Sequence, residues 1–223
     1  MTEGKRVISF CLWGNDPKYT VGALRNAELA RSVYPGWTSR FYVGSSTQRT
    51  VCKQLRKAGG EVVEMDEPGD WRGMFWRFIP AGEPDVAVML SRDTDSRLSG
   101  REKAAVDVWL ETDSPFHIMR DHPFHNTEIL GGMWGARGGF LTEMSQMIEA
   151  YNKGDFWQVD QNFLREHVYP KVKDLAVVHD EFFELKPFPT VRENYEFVGD
   201  VFDANDKRHQ DYWKEIEKRD YTR

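Results

Sequence analysis

Hydrophobic and polar positions change period repeatedly along this chain, and the changes divide it into strand-length and helix-length pieces. Val7-Ile8-Ser9-Phe10-Cys11-Leu12 is an apolar run of strand length, and Trp13-Gly14-Asn15-Asp16-Pro17 breaks it with loop-forming residues. Tyr19, Val21, Ala23, Leu24, Ala27, Leu29, Ala30 and Val33 then recur at helical spacing until Tyr34-Pro35-Gly36. A strand over 40–43, a helix over 48–58 closed by Gly59-Gly60 and a strand over 61–65 follow. Beyond a loop at 66–70 the pattern predicts a helix over 72–79 stopped by Pro80, a strand over 86–90, a helix over 101–110 and a strand over 116–120. Gly131 to Ala136 reads as a strand close to a ligand, since glycine permits a close backbone approach. Helices over 142–151 and 157–168, the second closed by Tyr169-Pro170, precede a strand over 175–178 that leads into His179-Asp180. From Asp206 onward, Tyr212, Trp213 and Ile216 among many charges predict an amphipathic helix packed on the outside.

Strand and helix alternating in this way imply an α/β fold with a parallel sheet covered on both faces. Ligands of such sheets collect beyond the carboxyl ends of the strands. The valine-rich run Val86-Ala87-Val88-Met89-Leu90 suits a strand buried on both faces, and it ends in Ser91-Arg92-Asp93-Thr94-Asp95. If the backbone stays extended, Asp93 and Asp95 point the same way. Two such carboxylates hold one hard divalent cation, which in turn holds a diphosphate. The competing role is structural: capping the helix that begins near Ser99 and pairing with Arg92 and Arg97.

Composition narrows the classes. With 40% hydrophobic residues and 13% aromatics over 223 residues, the chain can bury a sizeable core. A net charge of -6 without a basic cluster argues against nucleic acid as the partner. Two cysteines, Cys11 and Cys52, in apolar surroundings imply buried free thiols rather than a disulfide framework or a zinc site. No signal-peptide region or transmembrane run occurs, so a cytoplasmic protein is expected. No internal repeat or linker divides the chain, so one catalytic domain over 1–223 is expected, with 206–223 its charged tail.

Other residues offer chemistry. His179, at the end of a late strand, either completes a metal site with the two aspartates, where an imidazole suits Mn²⁺ better than Mg²⁺, or is a surface histidine bonded to Asp180 or Glu181. Arg77 lies among apolar neighbours and needs an anionic partner, a phosphate or a carboxylate such as Asp70; Arg72 raises the same question. Trp13 and Asn15 offer stacking and hydrogen bonding to a nucleoside, or Trp13 packs against its neighbours. Asp160 and Gln161 either solvate a helix start or face a reacting sugar carbon. Asp121, His122, His125 and Glu128 are further acid/base candidates. No Gly-x-Ser-x-Gly, phosphate-loop or dinucleotide glycine fingerprint is present.

Together these stretches resemble nucleotide-sugar glycosyltransferases of the GT-A fold, whose Asp-x-Asp (DXD) motif matches Asp93-Thr94-Asp95. The segment from Phe75 to Asp95, the Asp160-Gln161-x-x-Leu164 helix and His179 are similar to the glycogenin and bacterial galactosyltransferase group. Trp13 to Tyr19, Arg92 to Arg97, Met119 to Pro123 and Leu130 to Gly135 resemble a small viral and bacterial group that includes the first domain of a chlorella-virus multidomain glycosyltransferase. The chain departs from these patterns at Arg92, before the first acid, and at Asp180, after His179.

The resemblance implies a GT-A (Rossmann-like) mixed, mostly parallel sheet flanked by helices. It implies a UDP-sugar donor, a glycan acceptor and Mn²⁺, or Mg²⁺, on Asp95 and His179, with Asp93 on the metal or the donor ribose. Trp13, Asn15, Arg72 and Arg77 would hold the nucleotide. With retention, Gln161 or Asp160 lies beneath the anomeric carbon; with inversion, Asp121 or Asp160 is the base. Retention is the expected outcome. A metal-dependent phosphohydrolase or nucleotidyltransferase and a non-catalytic nucleotide-sugar-binding module are the alternatives.

Overall fold

The computed structural model describes residues 4–151 and 153–220. The ends of the expected lead-in, 1–3, and of the expected tail, 221–223, lie outside the described residues.

Strand β1 (Lys5–Leu12) is buried on both faces. Val7 packs on one side with Phe75, Phe78 and Met89, while Ile8, Phe10 and Leu12 pack on the other with Ala23, Ala27 and Leu90. Helix α1 (Pro17–Val33) follows, capped by Asp16, whose side chain accepts the Lys18 backbone N–H at 2.9 Å. Strand β2 (Thr38–Gly44), helix α2 (Arg49–Lys57) and strand β3 (Glu61–Met65) continue the alternation.

Between 71 and 82 the expected helix and its stop at Pro80 give way to a run of 3₁₀ turns, Trp71–Gly82, that carries Pro80 inside it. Phe75 and Phe78, three residues apart, are both buried, a spacing that a three-residue turn places on one side. Strand β4 (Val86–Ser91) and helix α3 (Gly100–Leu110) follow, then β5 (Phe116–Arg120) and β6 (Trp134–Arg137). The expected strand over 131–136 therefore begins three residues late, and Gly131-Gly132 form the turn before it.

Helix α4 (Met144–Ala150) precedes α5 (Val159–Phe163), which runs through a π turn (Leu164–Val168) into α6 (Tyr169–Val172). Pro170 lies in the first turn of α6, directly after the π turn, rather than ending its predecessor, because the first turn needs no N–H donor there. Strand β7 (Ala176–Asp180) includes His179, and helix α7 (Gln210–Asp220) closes the chain.

Among the described residues seven strands lie in the order β3-β2-β1-β4-β6-β5-β7. All neighbouring pairs are parallel except those made by β6, which runs antiparallel to β4 and β5. The sheet is thus mixed and mostly parallel, with α1–α3 on one face and the 3₁₀ segment with α4–α6 on the other. Order reverses at β1: β2 and β3 extend one way, and β4 returns to its other side. That reversal opens a crevice beyond the carboxyl ends of β1 and β4. Cys11 and Cys52 are buried and free, as expected.

Candidate active site

The chain turns as it leaves β4, and the turn sorts four neighbouring side chains. Arg92 goes inward, donating to Glu102 at 3.1 Å and to the carbonyls of Ser91 and Trp134. Asp93, Thr94 and Asp95 instead line a cavity of about 980 Å³ at the β1/β4 reversal. The structural alternative for the two acids does not occur: Ser99 caps α3, Arg92 pairs with Glu102, and Arg97 pairs with Asp206.

Each acid meets a cation from another part of the chain. Arg77, buried in the 3₁₀ segment, donates from Nη1 to Asp93 and from Nη2 to Asp160 at 2.7 Å. Its anionic partners are therefore Asp93 and Asp160 rather than Asp70, which accepts the Arg72 backbone N–H. Lys18 reaches Asp95 at 2.7 Å. Burial and the nearby charge of Asp93 raise the Asp95 pKa. Asp160 is only 1% exposed, and burial raises its pKa against the opposing pull of Arg77. Gly131 and Gly132 bring the backbone hard against this cluster. A Cβ on Gly132 would stand 2.5 Å from the Asp93 carboxyl carbon, and one on Gly131 would collide with Arg77 and Asp160. The close approach that glycine permits is here to the acids and the arginine.

Asp93, Asp95, Asp160, Gln161, Arg77 and Trp13 all line the cavity. Trp13 packs edge-on against Trp76. Four other candidates stand elsewhere or are occupied. Asn15 lines the cavity, but its amide donates to the Ser46 carbonyl at 2.9 Å and accepts the Gln48 N–H at 2.8 Å, so it ties the entry of α2. Arg72 turns to the Tyr151 carbonyl and the Phe75 ring, away from the cavity wall.

Asp121 is fully buried and accepts from Arg101, from Arg192 at 2.6 Å and from the Val198 N–H at 2.8 Å. A carboxylate so enclosed anchors the 188–198 segment and has no path to a substrate proton. His179 lies on β7, separated from β4 by β6 and β5, roughly 14 Å across the sheet at the usual strand spacing. Its Nδ1 is 2.8 Å from His117 Nε2, Phe188 packs near it, and burial followed by Arg101 lowers its pKa to about 4. Its ring is bonded to His117, with the charge of Glu181 acting on it as well, and it does not line the cavity.

Among the described residues no group of three His, Cys, Asp or Glu side chains is arranged to hold a metal ion. The donor set still fits a hard cation of another kind. Two cavity-lining carboxylates that repel one another suit Mg²⁺ or Mn²⁺ bound by one or two carboxylates, the remaining positions going to phosphate oxygens and water.

His122, His125 and Glu128 also line the cavity. His122 accepts the Phe124 N–H and contacts the Tyr212 carbonyl at 2.9 Å, while His125 accepts the Asp121 N–H at 3.0 Å. Burial lowers both pKa values, that of His125 to about 3, so both rings are neutral at pH 7. Two participants escaped the sequence reading. Lys18 gives no local sign of its partner beyond its place at the start of α1, and Tyr212, on the tail expected outside, reaches the cavity wall.

Among the described residues, seven strands in this order, helices α1–α6 with the 3₁₀ segment on the two faces and a cavity at the reversal define the class: an α/β sheet of the GT-A, Rossmann-like type. Comparison with solved structures places particular proteins beside it. A glycosyltransferase involved in glycosylation of the major capsid of PBCV-1 aligns with a TM-score of 0.54 and 17% identity, over 81% of this chain and 83% of that one. Glucosyl-3-phosphoglycerate synthase from Mycobacterium tuberculosis, in complex with UDP, aligns at 0.51 and 10% identity, over 86% and 73%. A 4-diphosphocytidyl-2C-methyl-D-erythritol synthase from Anaerococcus prevotii aligns at 0.50 and 12%, over 86% and 93%. These likenesses establish the fold. No family model and no curated protein matches the chain. No helix among the described residues is long and apolar enough to cross a membrane.

Proposed function

We propose that this chain is a glycosyltransferase that moves a sugar from a nucleoside-diphosphate donor, UDP in the first instance, to a hydroxyl of a glycan or other acceptor. The observation that carries the reading is the convergence of Asp93, Asp95, Asp160 and Arg77 in one cavity at the β1/β4 reversal. A divalent cation on Asp93 and Asp95 would supply Lewis-acid stabilisation of the diphosphate leaving group. Lys18 pairs with Asp95 and would place its ammonium where a phosphate of the donor could accept from it. Arg77 fixes the orientation of Asp93 and Asp160 from behind, and Trp13 offers its ring to the base. Asp121 is enclosed and Asp160 is held by Arg77, so neither acid suggested as a base for inversion is free to take a proton. That favours retention, with Gln161 and Asp160 beside the anomeric carbon and the departing phosphate accepting the acceptor's proton. Glu128, which also lines the cavity, is the base that inversion would use.

The likeness to a cytidylyl-transferring synthase over 93% of its length keeps nucleotidyl transfer as the second reading. A melting-temperature screen of nucleotide sugars with and without Mn²⁺ tests donor use, since a ligand of the native state raises the transition. UDP-sugars are expected to do so with Mn²⁺, and Asp95→Asn to abolish the Mn²⁺-dependent part. UDP-sugars without effect would sink the donor assignment, and release of pyrophosphate rather than nucleoside diphosphate would favour the second reading.

A further inference from the structure

Six large aromatic side chains are exposed among the described residues, and four of them, Tyr19, Trp71, Phe124 and Trp157, line the same cavity. Exposed aromatics gathered at one concave site mark a binding surface rather than random surface composition. Trp157 is the extreme case, at 64% exposure. The residue after it, Gln158, has φ 75° without being glycine, a conformation that costs energy and persists where the surroundings impose it. This turn sets the indole at the cavity wall instead of letting it fold into the core beside Val159. Trp157 is three residues from Asp160, so it lies within about 11 Å of that acid along the chain.

The groups around the indole identify what it would bind. Gln158, Asn162 and Arg165 line the cavity beside it, offering amides and a guanidinium where a lipid site would offer aliphatic side chains. A flat ring flanked by hydrogen-bonding groups matches a pyranose, which has an apolar C–H face and a rim of hydroxyls. The charge balance narrows the class further. The lining carries five carboxylates, Asp16, Asp93, Asp95, Glu128 and Asp160, against two guanidiniums, Arg77 and Arg165. A diphosphate brings its own cation to such a site, whereas an acidic sugar would not.

We propose that Trp157 is the acceptor platform, and that the acceptor is a neutral saccharide stacked on the indole. The proposal rests on the transferase reading for its role but not for its binding chemistry. At about 980 Å³ the cavity is at the upper end of ordinary ligand sites, roughly 300–1,000 Å³, which leaves space for a sugar beside a nucleotide.

The test uses the full chain against an array of neutral and acidic oligosaccharides, followed by titration of the strongest neutral binder. Wild type is expected to bind neutral members, Trp157→Ala to weaken that binding about tenfold or more, and Trp157→Phe to restore most of it. The melting shift caused by UDP-sugar and Mn²⁺ should be the same in Trp157→Ala as in wild type. Equal saccharide binding by Trp157→Ala, or no neutral saccharide bound by wild type, overturns the platform. So does Trp157-dependent binding to phosphatidylglycerol vesicles without saccharide binding, which would give the same ring to a lipid surface. If saccharide binding depends on Trp157 while no nucleotide shifts the melting temperature, the platform stands and the transferase reading fails.

Discussion

Gly132→Ala probes the acid cluster with a single methyl group. The added Cβ would stand 2.5 Å from the Asp93 carboxyl carbon and 2.9 Å from the Asp93 backbone nitrogen, where ordinary contact begins at 3.4 Å. The carboxyl must therefore retreat by at least about 0.9 Å, since its Oδ2 would stand closer still, and the backbone contact leaves little room for the loop to absorb the movement. Overpacking of this kind costs about 1–3 kcal/mol. For a chain of 223 residues that lowers the melting temperature by roughly 2–10 °C. The effect on turnover should be larger in proportion, because a group misplaced by about 1 Å can lose about 100-fold in rate. Gly100→Ala, at the start of α3 with open space around the site of the new methyl, is the control and should leave both quantities near wild type. Circular-dichroism melts and nucleoside-diphosphate release with Mn²⁺ provide the two measurements. A Gly132→Ala protein with undiminished kcat/KM would refute the claim that the Asp93 position matters to the reaction.

Asp121→Asn should leave Arg101 and Arg192 buried without full compensation, a loss of about 3–5 kcal/mol and roughly 10 °C; a normal melt with lost turnover would return Asp121 to the chemistry. Lys18→Met removes the ammonium that competes for Asp95, so Mn²⁺ measured calorimetrically with UDP should bind up to about fivefold tighter, the pair being partly exposed; weaker binding would show that Lys18 assists the cation instead. For His125 the unfolded imidazole titrates near 6.5 and the folded one near 3, so the unfolded chain takes the proton first. Its contribution is complete above pH 6.5 and falls as the pH drops, by about 2 kcal/mol at pH 5. Urea melts of wild type and His125→Asn at pH 7 and 5 should show the difference between the two proteins shrinking at the lower pH.

Most of the secondary structure was legible in the local pattern, because strand and helix impose periods on neighbouring residues. β3 and β5 occupy the residues expected of them, and β4 ends where Asp93 and Asp95 begin to line a site. The expectation of an anionic partner for Arg77 followed from the cost of burying a lone guanidinium among aromatics. Local pattern also misread proline: Pro80 and Pro170 lie inside a 3₁₀ run and at a helix start, settings that a stop signal does not distinguish.

Sequence by itself determined an α/β chain with acids at the carboxyl end of a buried strand and a charged helix at its end. Which groups meet those acids was decided only in three dimensions. The antiparallel β6 inserts between β4 and β5 and so carries β7 and His179 away from Asp95, while Lys18 and Arg77 arrive from the first helix and the 3₁₀ segment. Asp121 became a buried anchor because two arginines and a backbone N–H from remote segments converge on it. Periodicity acts over a few residues and assigns a side chain to a face. Strand order and ion pairing depend on how distant segments pack, and no local repeat encodes which strand becomes the neighbour of which.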